Sequence, residues 1–175
     1  MVNENISFLN CAISIETRGQ SYYNSPFSMS AEDRRFLKDK ENQNRLIKSI
    51  SEYDLPVFVI GHDPERKNRE VDNFVRHDSF ILRLALLVLS VRLNIHNGTR
   101  AQSFYWMCSE EAVSFIERLD DMQTIDAIIR GELYFKPVRP LTELAEGDWS
   151  SIFGSDKPHM ELAAYLQLRY EDWSN

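Results

Sequence analysis

Three side chains with chemical potential lie in the middle of the chain, at positions that a hairpin would bring to one face. Arg92 offers a planar anion-binding group, His96 an imidazole that titrates near neutral pH, and Tyr105 an aromatic platform. Together they could hold a carboxylate or phosphate and move a proton. If the protein is an enzyme, these are its predicted catalytic residues. The same residues also suit the solvated face of an antiparallel sheet, where they need have no chemical role.

The element that would position them is a β-hairpin predicted over residues 89–107. Apolar and polar residues alternate from Leu89 to His96, which is the period of a half-buried strand. The dipeptide Asn97-Gly98 then supplies the two positive-φ positions of a type I′ turn. The resulting register places Arg92 opposite Ser103, on the polar face that also carries the histidine and the tyrosine.

A second candidate surface is acidic and lies toward the C-terminus. Seven acidic residues and two bases, Lys157 and Arg169, lie between Leu141 and Asn175. Aromatic residues outside regular core positions often anchor protein interfaces, although they also pack under loops. The predicted binding residues are Glu146, Asp148, Trp149, Tyr170, Glu171, Asp172 and Trp173.

The other reactive side chains form weaker patterns. Cys11 and Cys108 stand in apolar surroundings, which predicts two buried free thiols. The histidines lack the closely spaced second ligand that a metal site needs, so we expect no metal and no cofactor. In Gly61-His62-Asp63-Pro64 the free amides of a helix start could hold an anion, but Asp63 as a plain N-cap explains the residues as well.

The predicted elements alternate between strands and helices. Ile6–Ile15 is predicted as a strand, and Ser30, with Asp33 three residues later, opens a helix to Tyr53. The next predictions are a strand at 57–60 and a helix at 64–87, which His77-Asp78-Ser79 could instead break into two. After the hairpin, the predictions are a helix from Ser109, a short helix or strand at 124–130 ended by Gly131, a strand at 133–138 and a helix from Asp156. These predict a single domain over residues 1–175, of the α/β or α+β class, with a mixed sheet of about five strands flanked by helices.

Net charge and hydropathy argue against several classes of function. The formal net charge is −7 and the pI is near 5.1, which argues against a general nucleic-acid binder and against an anionic membrane surface. The longest apolar run, Phe80–Val91, is too short to span a bilayer, and the N-terminus does not resemble a signal peptide. We therefore expect a cytoplasmic protein without membrane contact.

Three functions remain open from the sequence. The first is a non-enzymatic binding protein, an inhibitor or immunity-type regulator, that docks an acidic, aromatic surface on a more basic protein. The alternative is a small enzyme that acts on a nucleotide or another anionic small molecule through the hairpin face. The third is a structural subunit that associates with itself through a sheet edge or the C-terminal helix. A closed, positively charged pocket around Arg92 would favour the enzyme. A broad acidic patch from Asp148 to Asp172 would favour the binding protein.

Overall fold

Helices dominate the described part of this protein. The structure is a computed structural model that describes residues 2–17, 25–53, 57–67, 69–70, 78–96 and 108–147. In chain order the elements are α1 (Val2–Thr17), α2 (Ala31–Phe36), α3 (Lys40–Tyr53), β1 (Phe58–His62), a 3-10 turn (Pro64–Arg66), α4 (Ser79–His96), α5 (Glu110–Ile116), α6 (Asp121–Arg130), β2 (Leu133–Pro137) and α7 (Leu141–Ala145).

The sheet of the described residues has two antiparallel strands. Phe58 lies opposite Pro137, and His62 lies opposite Leu133. An extended segment around Phe27 pairs with β2, because the amide of Phe135 donates to the carbonyl of Pro26 at 2.8 Å. The predicted mixed sheet of about five strands is therefore wrong. A coarse α+β description, with helices beside a small sheet, is loosely consistent with the structure.

The predicted hairpin is also wrong, because its first strand is the second half of α4. A helical core face runs through this segment at spacings of three and four residues, formed by Ile81, Leu84, Ala85, Val88 and Val91, all buried. The alternation from Leu89 to His96 covers only eight residues, and over so short a length a strand period and a helix period can fit the same residues. Asn97-Gly98 and the predicted second strand lie outside the described residues.

Three more predicted elements change type or length. The predicted strand at 6–15 is part of α1, whose buried residues Phe8, Leu9, Ala12 and Ile15 follow a helical period. The predicted helix at 30–53 divides into α2 and α3 around Asp39, whose side chain accepts the amide of Glu41 at 2.8 Å and so begins a new helix. The predicted helix at 64–87 is a 3-10 turn followed, beyond residues outside the described part, by the start of α4.

The boundaries that depend on local signals are confirmed. The side chain of Ser30 accepts the amide of Asp33 at 3.0 Å, and that of Ser109 accepts the amide of Ala112 at 3.1 Å. Gly131 ends α6 with a φ of +69°, a conformation that glycine adopts without steric cost. Strands β1 and β2 lie where short apolar runs and prolines predicted them.

The core lies between the sheet and the helices. Four phenylalanines meet there: the Phe27 ring centroid is 5.2 Å from that of Phe58 and 5.3 Å from that of Phe135, and Phe8 packs on Phe135 at 5.3 Å. Helix α4 packs against α1, α5 and α6, while α7 packs against α2 and α3. This arrangement carries the end of β1, the start of β2 and α5 to one side of the molecule.

Candidate functional site

The three residues predicted as catalytic do not form a site in the described part of the chain. Arg92 lies on α4, where its guanidinium donates to the carbonyl of Leu119 and to Asp121 Oδ1, the latter at 3.0 Å. His96 is the last residue of α4, with its side chain outside the described part, and Tyr105 lies wholly outside it. Arg92 is thus engaged in joining α4 to the connection between α5 and α6.

The predicted C-terminal binding residues fall mostly outside the described residues. Glu146 is exposed at the end of α7. Asp148, Trp149, Tyr170, Glu171, Asp172 and Trp173 lie outside the described part, so their role as a docking surface remains a prediction.

The described residues carry another acidic surface, on α5 and α6, which was not among the sites predicted from the sequence. Six acidic residues and one base, Arg118, lie between Ser109 and Asp126. Four of the acids are exposed; we call these Glu111, Glu117, Asp120 and Asp121 the α5–α6 acidic surface. The signal was present in the sequence as a local excess of acids, but the faces of two helices decide which of them reach solvent.

Helix caps hold this surface in place. Asp120 accepts the amide of Gln123 at 2.7 Å, while the Gln123 side chain accepts the amide of Asp120 at 2.9 Å, which completes a capping box. The pKa of Glu111 is lowered, chiefly by a hydrogen bond from its own backbone amide and then by one from Ser109. A small attraction to His62 acts in the same direction. Glu111 therefore remains charged at neutral pH.

A cluster of ionisable residues lies behind this surface, where β1 ends and β2 begins. Glu132 is 2% exposed, and its Oε2 accepts from Arg130 Nε at 3.3 Å and Nη2 at 3.1 Å. Its Oε1 is 3.8 Å from His62 Nε2, beyond hydrogen-bond distance. That nitrogen is buried and has no hydrogen-bond partner among the described residues. The imidazole stacks on Phe115 of α5 at a centroid distance of 4.0 Å.

We call His62, Arg130, Glu132 and Phe115 the strand-end cluster. A carboxylate beside an imidazole is an arrangement that can fix the orientation of the ring, as it does for general bases. Here the nitrogen next to the carboxylate is enclosed, and the arginine neutralises the carboxylate from its other side. The arrangement links β1, β2 and α5.

The neighbouring Gly61-His62-Asp63-Pro64 segment is used for capping. Asp63 accepts the amide of Glu65 at 3.2 Å, and its other oxygen pairs with Arg66 Nε at 2.7 Å. The carboxylate therefore occupies the 3-10 start where an anion would bind. Gly61 lies against the ring of Tyr134, which a Cβ at this position would strike.

Both cysteines are buried, as predicted. Burial raises the pKa of the Cys108 thiol to about 12. Burial also raises the pKa of Cys11, to about 11, and the positive charge of Arg83 offsets part of the increase. Low thiolate content and burial make both poor nucleophiles at neutral pH.

Two further properties concern metals and membranes. Among the residues described, no group of three or more His, Cys, Asp and Glu side chains is placed to hold a metal ion. Within the same residues, no helix has both the length and the hydropathy needed to cross a bilayer.

No protein-family model, no curated protein and no solved structure matches the chain.

Proposed function

We propose that this protein is a non-enzymatic binding protein, an inhibitor or immunity-type regulator, that docks on a more basic protein. The observation that carries the proposal is the α5–α6 acidic surface, of which Glu111, Glu117, Asp120 and Asp121 are all exposed. A surface of one charge sign accelerates encounter with an oppositely charged partner and suppresses encounter with other acidic proteins.

The chemistry of the surface fits docking better than catalysis. Its charged groups are held by helix caps and lie in solvent, whereas an acid–base site needs carboxylates in an apolar setting that shifts their pKa values. Met122, 55% exposed, follows Asp121 directly and offers an apolar contact beside the charges. Methionine is a common residue of adaptable binding surfaces because its side chain is flexible and polarisable.

We propose that the acidic and aromatic residues toward the C-terminus also contribute to docking. Glu146 is exposed, and the segment from Leu141 to Asn175 holds seven acids against two bases. The proposed partner is therefore a protein with a basic face and apolar contacts that receive the methionine and the C-terminal aromatics.

The first step of the test is to identify the partner. The tagged protein is used to capture proteins from its native host at low and at high salt, and the captured partner is purified. Association rates are then measured by stopped-flow fluorescence over a range of ionic strength. Screening within a Debye length of about 8 Å at physiological salt should slow association as salt rises.

The second step compares three variants in which acidic residues are replaced by their amides. All three are expected to keep the wild-type fold. The first carries Glu111→Gln and Glu117→Gln on the α5–α6 acidic surface. The second carries Glu146→Gln, Asp148→Asn, Glu171→Gln and Asp172→Asn. The control carries Glu41→Gln and Glu52→Gln on α3, which removes the same charge as the first. Asp120 and Asp121 are left unchanged, because they cap α6 and pair with Arg92.

We expect the first two variants to associate more slowly and with a flatter salt dependence, while the control behaves like the wild type. All three should retain the wild-type melting temperature. If the control slows association as much as the first variant, net charge alone acts and the proposal is contradicted. A wild-type association rate that does not change with salt would contradict it as well.

A further inference from the structure

Helix α4 has two apolar faces, and one of them is open to solvent. Its buried face is the core face described above. On its other side, Leu86 is 66% exposed, Leu93 59% and Leu82 38%, and Leu89 is half-buried between them. We call these four residues the α4 leucine stripe. Scattered exposed leucines are ordinary, but a contiguous apolar stripe along a helix marks an interaction surface.

The spacing of the stripe identifies the kind of surface. The intervals from Leu82 to Leu86, Leu89 and Leu93 are four, three and four residues. This is the spacing of the two apolar positions of a heptad, so Leu82 and Leu89 take one position and Leu86 and Leu93 the other. Helices with this pattern pair with another helix along the stripe, each leucine filling a gap between side chains of the facing helix.

We propose that the α4 leucine stripe is the contact surface between two copies of this chain, with the two α4 helices antiparallel about a two-fold axis. A two-fold interface must be complementary to itself, so that each contact occurs twice. The stripe satisfies this requirement because its spacing is the same in both directions. About a midpoint between Leu87 and Val88, Leu82 meets Leu93 of the second copy, and Leu86 meets Leu89.

Charge distinguishes a second copy from the basic partner proposed above. No acidic residue lies between Ser79 and His96, so the stripe offers nothing for a basic partner to pair with. Arg83 is exposed on α4, and Arg92 is paired with Asp121. In the antiparallel arrangement the two Arg83 residues lie about 14 Å apart along the axis, at roughly 1.5 Å per residue, which exceeds the Debye length of about 8 Å at physiological salt. Each Arg83 lies level with Arg92 of the second copy, whose charge is offset by its pairing with Asp121.

The size of the stripe sets the strength of the dimer. Four leucines cover about 16 Å of helix at roughly 1.5 Å per residue, which places the contact at the small end of specific interfaces. Such contacts are reversible, so dimer formation should depend on protein concentration. This self-association goes beyond the proposed docking function and uses a different face of the molecule.

Sedimentation equilibrium of the full chain, from micromolar to millimolar concentration, tests the proposal. The average mass should rise from 20.5 kDa toward twice that value. Leu86→Lys with Leu93→Lys should raise the dissociation constant at least about tenfold, since it places four charges in the apolar contact. The control, Ala31→Lys with Asn44→Lys, adds the same charges at exposed positions on α2 and α3 and should dimerise like the wild type.

Cysteine cross-linking tests the orientation and does not depend on the folding of the lysine variant. Leu82→Cys and Leu93→Cys proteins are oxidised with diamide, singly and mixed; the native Cys11 and Cys108 are buried. The mixture should cross-link and neither protein alone should. Cross-linking of each protein alone would overturn the antiparallel arrangement. A monomeric wild type at every concentration, or a lysine variant that dimerises normally, would overturn the proposal and leave another protein or the chain's own C-terminal part to cover the stripe.

Discussion

Glu132 is a buried acidic residue at the point where β2 begins, close to the end of β1. Its carboxylate is buried between Arg130 and His62, and the histidine ring lies flat on Phe115. A buried charge is tolerated when a partner of opposite charge and hydrogen bonds compensate for the loss of water. Arg130 provides that compensation through two nitrogens, so the residues of the strand-end cluster depend on one another.

Glu132→Ala should destabilise the protein by about 2 kcal/mol, because it leaves the guanidinium of Arg130 without its carboxylate. Glu132→Gln should cost about half as much. Its amide oxygen can still accept from Arg130, and its amide nitrogen can donate to His62 Nε2. Urea unfolding of both variants measures the two losses. Glu117→Ala, an exposed acid on α5, is the control and should change stability little. Equal losses in the two Glu132 variants would contradict this role.

At the scale of elements, Arg92 connects α4 to the segment that joins α5 and α6. Its guanidinium donates to the carbonyl of Leu119 and pairs with Asp121, so one side chain secures a helix to the next helix pair. Arg83 lies on the same helix but is exposed to solvent. Substituting each arginine in turn therefore distinguishes the structural contact that Arg92 makes from the general effect of removing a positive charge from α4.

Arg92→Ala should lower the free energy of unfolding by about 1 to 2 kcal/mol, since a backbone carbonyl and a carboxylate lose their donor. Arg83→Ala should lower it by less than about 0.5 kcal/mol. Thermal unfolding followed by circular dichroism distinguishes the two. If both substitutions have the same effect, the connection between α4 and Leu119 contributes little to stability.

Elements that depend on local sequence signals could be predicted, and elements that depend on packing could not. Ser30, Ser109 and Gly131 act through their own side chain or backbone, so their roles are visible in a few residues. The type of α4 depends on what covers each of its faces. Its residues are apolar on two sides, and an Asn-Gly pair next to such a run favours a hairpin only when the run is a strand.

The candidate sites also differ in whether local sequence or tertiary packing determines them. A local excess of acids is visible in the composition of residues 109–126, but the exposed faces of α5 and α6 decide which carboxylates form a surface. The meeting of His62 with Glu132 could not be predicted at all. They are 70 residues apart in sequence, and the pairing of β1 with β2 brings them together. The polar face that was predicted to carry Arg92 depended on the hairpin, and Arg92 lies on α4 instead.

At the scale of the whole molecule, the two buried thiols set a limit on stability at alkaline pH. Burial raises the pKa of Cys11 to about 11 and that of Cys108 to about 12, above the ordinary value of 9.0. The folded protein therefore holds these protons where the unfolded chain releases them. Their contribution is complete below pH 9 and is lost as the pH rises toward 11.

Urea unfolding between neutral pH and about pH 10.5, which is above the ordinary thiol pKa of 9.0, should therefore show a steeper loss of stability than tyrosine and lysine alone produce. Cys11→Ala with Cys108→Ala is the comparison protein, because it keeps every other titrating group. It should be less stable at neutral pH, with a shallower decline by about 1 kcal/mol per pH unit. Parallel declines in the two proteins would mean that the thiols ionise equally in both states.

The pairing of Ile60 with Phe135 also has a consequence for how the chain folds. The two residues are 75 positions apart, and Phe27 joins the far edge of the same strand from still further away. The hydrogen bonds of a helix join residues that are close in sequence. The sheet, in contrast, must bring three distant segments together, at the cost of loop entropy. Helix formation should therefore precede sheet formation, and the docking of β2 between its two neighbours should limit the folding rate. Substitutions at Phe135 would then slow folding more than substitutions of similar cost within α3.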